Sequence, residues 1–148
     1  MSKTYINVAL RQLVIRRANG LCEYCLIHED DTYFGCQVDH IISEKHGGPT
    51  EEGNLAYACS FCNRNKGSDI GSIVWRTGQF CRFFNPRIDR WADHFALSGV
   101  RIVTLTDIGE VTARILDFNH IDRLIERLEL EALGRYPSPD AFALISGE

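Results

Sequence analysis

The 148-residue chain has no apolar run approaching the roughly twenty residues that a helix needs to cross a bilayer. Its first stretch, Met1 to Arg17, alternates polar and apolar side chains and has no cleavable hydrophobic core. It therefore does not read as a secretory leader, and the expected location is the cytoplasm. No internal repeat and no low-complexity segment occurs, which excludes a solenoid and leaves a single domain or a small core with an extension. The chain also lacks a net positive charge, standing at −4, which is awkward for a partner of nucleic acid. Finally, no group of acids converges in the way that a two-metal hydrolase requires.

What the chain does have is cysteine in pairs. Six cysteines in a cytoplasmic protein point away from disulfides, and the spacing Cys22-x-x-Cys25 and Cys59-x-x-Cys62 points to metal. A Cys-x-x-Cys turn places two sulfurs on one side of a tight loop, and two such turns close a tetrahedron around zinc. The alternative for the first pair is a redox couple, which the presence of the second pair argues against. Four thiolates around Zn²⁺ carry a net charge of about −2, so the clamp should not be the part that touches a phosphate backbone. Cys36 and Cys81 stand alone and read as small buried hydrophobes.

Between the two pairs lie Asp39-His40 and Asn54, and Asn63 follows directly on the last cysteine. An imidazole, whose ordinary pKa is about 6.5, can take a proton from water near neutral pH. A carboxylate and an amide oxygen are hard donors suited to Mg²⁺ or Mn²⁺. In order, Cys-x-x-Cys, Asp-His, Asn, Cys-x-x-Cys-Asn resembles the HNH endonucleases, the zinc-clamped branch of the ββα-metal nucleases. The resemblance implies His40 as general base and Asp39 with Asn63 as ligands of one catalytic divalent metal. It implies Asn54 as the residue that bonds backbone across the loop and orients His40, and 5′-phosphate and 3′-hydroxyl product ends. The last position is histidine in many members and asparagine here, which shifts the expected metal toward Mg²⁺. DNA is the implied partner, with RNA-containing or single-stranded substrates left open. The rival reading is a non-catalytic zinc-knuckle module that binds nucleic acid.

Charge is uneven along the chain. Residues 1–20 carry Lys3, Arg11, Arg16 and Arg17 and no acid, and residues 61–90 carry six bases against Asp69 and Asp89. Residues 21–60 and 91–148 are acidic. The basic stretches flank the motif and are expected to meet phosphate, with Lys66, Arg64 and His46 as the nearest candidate contacts. Glu44, Glu51 and Glu52 read as solvated loop residues. His28, His94 and His120 have no metal-spaced partner and no expected catalytic role.

The expected fold is α+β: a ββα-metal core held by four-cysteine zinc, with an N-terminal helix and a mixed α/β C-terminal extension. Residues 1–72 form the core and 73–148 the extension, the tail from about 135 being poorly ordered. Ile6, Ala9, Leu10, Leu13 and Val14 have helical spacing over about 5–18. Residues 34–42 and 55–59 read as strands around a loop with Gly47-Gly48-Pro49, and Ser60 caps a helix that stops at Gly67. Neighbouring strand residues face opposite ways, so Asp39 and His40 sharing a pocket predicts an irregular backbone at 39–41. Beyond residue 72, strands are expected at 79–84 and 100–105. Ile108, Val111, Thr112, Ile115 and Leu116 then have helical spacing behind a Thr106 cap, and Ile121, Leu124, Ile125, Leu128 and Ala132 repeat that stripe between Asn119 and Gly134. Phe84-Asn85-Pro86-Arg87 and Trp91 resemble an extension found in some bacterial HNH proteins, with no chemistry assigned to it.

Overall fold

A computed structural model describes residues 5–148; Lys3 of the first basic stretch lies outside them. The chain opens with helix α1, Val8–Arg17, whose first turn is capped by Asn7 Oδ1 accepting from Leu10 N at 2.8 Å. Strands β1 (Cys36–His40) and β2 (Leu55–Cys59) pair antiparallel, and helix α2 (Ser60–Lys66) follows β2 without a loop. Val14 of α1, with Ile6 before it, packs on Leu55 and Tyr57, so α1 lies along this hairpin. The result is a mixed α+β fold with a ββα unit and a buried four-cysteine cluster.

The extension is built from short pieces. Two hairpins, β3 (Gly71–Ile73) with β4 (Phe80–Arg82) and β5 (Phe95–Ser98) with β6 (Arg101–Thr104), flank the one-turn helix α3 (Trp91–His94). Helices α4 (Asp107–Ile115), α5 (Ile121–Ala132) and α6 (Phe142–Ser146) complete the chain. Thr106 Oγ1 caps α4 through Gly109 N at 3.0 Å, and His120 Nδ1 caps α5 through Asp122 N at 3.1 Å. One hydrophobic cluster crosses residue 72, joining Tyr24, Leu26 and Ala58 to Phe84, Trp91, Phe95 and Phe118. Trp91 Nε1 donates to Tyr24 O at 2.9 Å, which ties the extension to the turn of the first cysteine pair.

Three expectations need correction here. The tail after 135 is packed rather than loose: Tyr136 is buried with its hydroxyl donating to Cys25 O at 2.8 Å, and Ala141 joins the core. Arg135, paired with Asp31, and Tyr136, under the Arg127 guanidinium, help to dock a segment whose composition suggests a free end. Helix α5 turns only part of its apolar stripe inward, Leu124 packing against the core. Ile121, Ile125 and Leu128 are exposed at 61%, 48% and 52%, while Arg123 and Arg127 are buried at 4% and 1%. Finally, α2 is capped by a sulfur, Cys59 Sγ accepting from Cys62 N at 3.5 Å, and Ser60 is already the first helical residue.

Candidate active site and metal clamp

The four sulfurs of Cys22, Cys25, Cys59 and Cys62 lie within 4.8 Å of one another, and all four residues are buried. Four sulfurs about 2.3 Å from one zinc ion sit roughly 3.8 Å apart. Cys25 and Cys59 are 3.7 Å apart, which fits that tetrahedron and is far too long for a disulfide. In each pair the second cysteine's N–H points back at the first sulfur, Cys25 N to Cys22 Sγ and Cys62 N to Cys59 Sγ, both at 3.5 Å. Burial pushes the Cys22 and Cys62 thiols well up, while hydrogen bonds from its three neighbours hold Cys25 well below the ordinary thiol range. The donor set and its dimensions are consistent with structural zinc.

Arg123 is the partner of this cluster that the sequence did not disclose. Its Nη2 lies 3.1 Å from Cys62 Sγ and 3.8 Å from Cys59 Sγ, and its Nη1 donates to Leu116 O at 2.7 Å and Asp117 O at 3.1 Å. Burial pulls this guanidinium's pKa down, but the sulfurs of Cys62, Cys25 and Cys59 more than reverse that and the net shift is upward. Arg127, one turn on, donates to Val100 O at 2.8 Å. The inward arginines explain why Ile121, Ile125 and Leu128 are turned outward. A buried group of thiolates demands a cation more strongly than three aliphatic side chains demand burial.

At the other end of the hairpin, Gln37 and Asp39 share the face of β1 that meets α2, as a two-residue period requires. Asp39, His40 and Asn63 line an open cleft of about 560 Å³, together with Gln37, Ser60, Arg64 and, from α1, Arg11. Asn63 Nδ2 donates to Gln37 Oε1 at 2.5 Å, which turns the amide oxygen of Asn63 to the opposite side. Asp39 and His40 also line a smaller cleft of about 230 Å³ with Ser43 and Glu44.

The expected bulge at 39–41 is absent. The ladder is regular from Cys36↔Cys59 through Asp39↔Ala56 to His40↔Leu55, and it ends there. His40 is the last paired residue, and Asp39 and His40 line one cleft although the ladder is regular through both. Beyond it, Ile41 N donates to Asn54 O at 2.8 Å, and Asn54 Oδ1 accepts from Ile42 N at 2.9 Å. Asn54 Nδ2 donates to Ile42 O and Pro49 O, both at 2.9 Å, so this buried side chain fastens the two ends of the loop over residues 42–49. Gly48 makes that closure possible. A Cβ there would stand 1.7 Å from Ile42 O and 2.7 Å from Asn54 Nδ2.

The His40 ring, 3% exposed, places Nε2 2.8 Å from Thr50 Oγ1, and Thr50 Oγ1 donates to Glu44 Oε1 at 3.2 Å. A hydroxyl has one hydrogen; given to Glu44, it leaves Thr50 to accept from His40 Nε2–H. The neutral ring then carries its lone pair on Nδ1. Glu44, read from sequence as solvated, is thus part of the site, with its carboxylate 3.7 Å from His40 Nε2. Neither Thr50 nor Glu44 carries a sequence signal beyond lying in the loop between Asp39-His40 and Asn54.

The expected phosphate contacts divide. Lys66 does not reach solvent: it is 2% exposed, and its Nζ donates to Asp39 Oδ2 at 3.0 Å and His40 O at 2.8 Å. It braces the strand end from below and leaves Asp39 Oδ1 toward the cleft. Arg64 is exposed on the cleft wall, and His46 is exposed on the loop but is not among the cleft residues. Most of the basic stretch 61–90 is spent internally, Arg76 on Asp107, Arg82 on Asp89 and Arg87 on Glu23. Arg17 likewise donates to Glu52 O and Leu55 O, both at 2.6 Å. Arg11 and Arg64 face the cleft without an ion pair among the described residues. Cys36 and Cys81 are half-buried rather than buried.

No protein of curated function and no solved structure matches this chain. Among the described residues no helix is long and apolar enough to cross a membrane. Residues 22–69 match the family model of the HNH endonuclease, a span that begins at the first clamp cysteine and ends just past α2. That segment, which carries the sulfur cluster and the Asp39–His40–Asn63 cleft, is thus similar to the HNH endonuclease domain.

Proposed function

We propose that this protein is a metal-dependent endonuclease that hydrolyses DNA phosphodiester bonds, with structural Zn²⁺ in the four-cysteine clamp and one catalytic Mg²⁺ or Mn²⁺. The observation that carries this reading is the cleft that Asp39, His40 and Asn63 line together with two guanidinium groups, Arg11 and Arg64, that make no ion pair among the described residues.

Each residue has a definite task. Arg11 and Arg64 attract and seat the phosphate backbone. Asp39 Oδ1 and the amide oxygen of Asn63 are hard donors that fit a divalent cation, and Lys66 and Gln37 hold those two side chains from behind. Such a cation, when bound, supplies Lewis-acid charge to the scissile phosphate and the leaving oxygen. His40 Nδ1 takes a proton from water as its oxygen bonds to phosphorus; the P–O3′ bond breaks, leaving a 5′-phosphate and a 3′-hydroxyl protonated from solvent. Thr50 and Glu44 keep the ring in the tautomer that can accept that proton.

A plasmid-nicking assay tests the reading. Activity is expected with Mg²⁺ or Mn²⁺ and none with a chelator of the catalytic metal. His40→Ala should lose on the order of 10²-fold or more while keeping its far-UV circular dichroism and its zinc. Full activity in His40→Ala would remove the catalytic role. A protein that binds DNA but never nicks it would be the zinc-knuckle module instead.

A further inference from the structure

Tyr33 and Phe34 stand just before β1 and are among the most exposed aromatic side chains, at 91% and 72%. Their rings meet edge to face, with centroids 4.7 Å apart and planes at 79°. One ring braces the other, and most of the Phe34 side chain stays open to solvent. Phe34 lines the same cleft as Asp39, His40 and Asn63, and so do Arg11 and Arg64. An exposed aromatic beside cations is the arrangement by which proteins hold single strands: guanidinium groups take phosphates and the ring takes a base.

Charge limits what kind of strand fits. The chain is net acidic, and the basic stretch after residue 60 is largely consumed in internal ion pairs. Arg11 and Arg64, neither in an ion pair among the described residues and Arg64 stacked over Phe61, are a narrow track, suited to a few phosphates of one strand rather than to the broad backbone of a duplex. In a duplex, moreover, each base face is covered by its neighbours, so an open ring finds nothing to stack on unless a base is unpaired.

We infer that Phe34, braced by Tyr33, is a stacking platform for an unpaired nucleobase, and that the substrate of this site is single-stranded or locally unpaired nucleic acid. The inference rests on the nuclease reading for the location of the site, and binding and cleavage separate the two. The His40→Ala protein, loaded with zinc, is titrated by fluorescence anisotropy with a labelled 20-nucleotide single strand and with the same sequence as a duplex. Phe34→Ala in that background should weaken single-strand binding about tenfold, within the range of one lost base stack, and change duplex binding less than twofold. Phe34→Trp should restore it, and a 2-aminopurine in the strand should be quenched on binding to Phe34→Trp but not to Phe34→Ala. With about two phosphates neutralised, log K for the single strand should fall against log salt with a slope near −1.4.

Equal loss for strand and duplex would make the ring a wedge into paired DNA and overturn the unpaired-base inference. Single-strand affinity in Phe34→Ala within twofold of the parent would overturn the platform itself. Tight single-strand binding by a wild-type protein that never nicks would sink the nuclease reading and leave the platform standing. No binding of either form would sink both.

Discussion

One hairpin and one helix carry two polar centres, and the two handle charge in opposite ways. At the Cys59 end, four sulfurs and the Arg123 guanidinium are buried together. At the His40 end, Asp39, Asn63, Arg11 and Arg64 line an open cleft, while the imidazole ring, Asn54 and Lys66 are withdrawn from solvent. Burial makes the sulfur cluster demand a cation, and openness leaves the cleft accessible from solvent. The two ends are a strand's length apart, Cys36↔Cys59 at one limit of the ladder and His40↔Leu55 at the other. A ββα unit this short is marginal by hydrophobic burial alone. A zinc ion held at the closed end, as proposed, would spare the open end from having to contribute to folding.

The sharpest way to break this division is at the closed end. Cys59→Ser removes a metal ligand and the sulfur that caps α2, and both losses fall on one residue. Structural zinc contributes on the order of 10 kcal/mol, so zinc and cooperative unfolding should disappear together. A zinc-free Cys59→Ser protein that melts like the parent would show that the clamp does not hold the fold.

A smaller change tests the charge balance rather than the ligand. Arg123→Met keeps the length and bulk of the side chain but removes the cation beside Cys62 and Cys59. Outer partners of metal ligands are typically worth 10- to 100-fold in affinity, and zinc affinity should fall by about that factor in competition with a chromophoric chelator. Arg123→Lys should recover part of it. Unchanged affinity in Arg123→Met would mean that the tetrathiolate needs no counterion from the extension.

Arg123 also marks where sequence reading stopped. Helix α5 was legible in its limits, Ile121–Ala132, because the apolar spacing, the preceding loop and Gly134 are all local signals. Its orientation was not, because the stripe of Ile121, Ile125 and Leu128 competes with a cluster of sulfurs more than sixty residues away. Strand β2 and helix α2 were legible for the same reason as the limits of α5, whereas β3 and β5 were not. Three- and four-residue strands exist only through their partners, β4 and β6. In the cleft, Asp39, His40, Asn54 and Asn63 were visible as a spaced motif. Thr50, Glu44 and Gln37 were not, since each is one of several polar residues in its segment until folding selects it. Lys66 was misread outward because the helical period places it on the face of Asn63 without saying that this face meets β1.

The finest distinction concerns a single proton at the open end. If Thr50 Oγ1 gives its hydrogen to Glu44 and accepts from His40 Nε2–H, then Thr50→Val, of the same shape, leaves that N–H without its acceptor. The ring then loses its preference for carrying the lone pair on Nδ1. One neutral hydrogen bond is worth about 1 kcal/mol, so cleavage should slow about fivefold, with zinc content and melting temperature nearly unchanged. Thr50→Ser keeps the hydroxyl and should keep the rate. The ¹⁵N shifts of His40 supply a readout that a loss of packing would not move: one tautomer in the parent and in Thr50→Ser, a mixture in Thr50→Val. A single tautomer in all three proteins would show that the hydroxyl does not choose which nitrogen takes the proton from water.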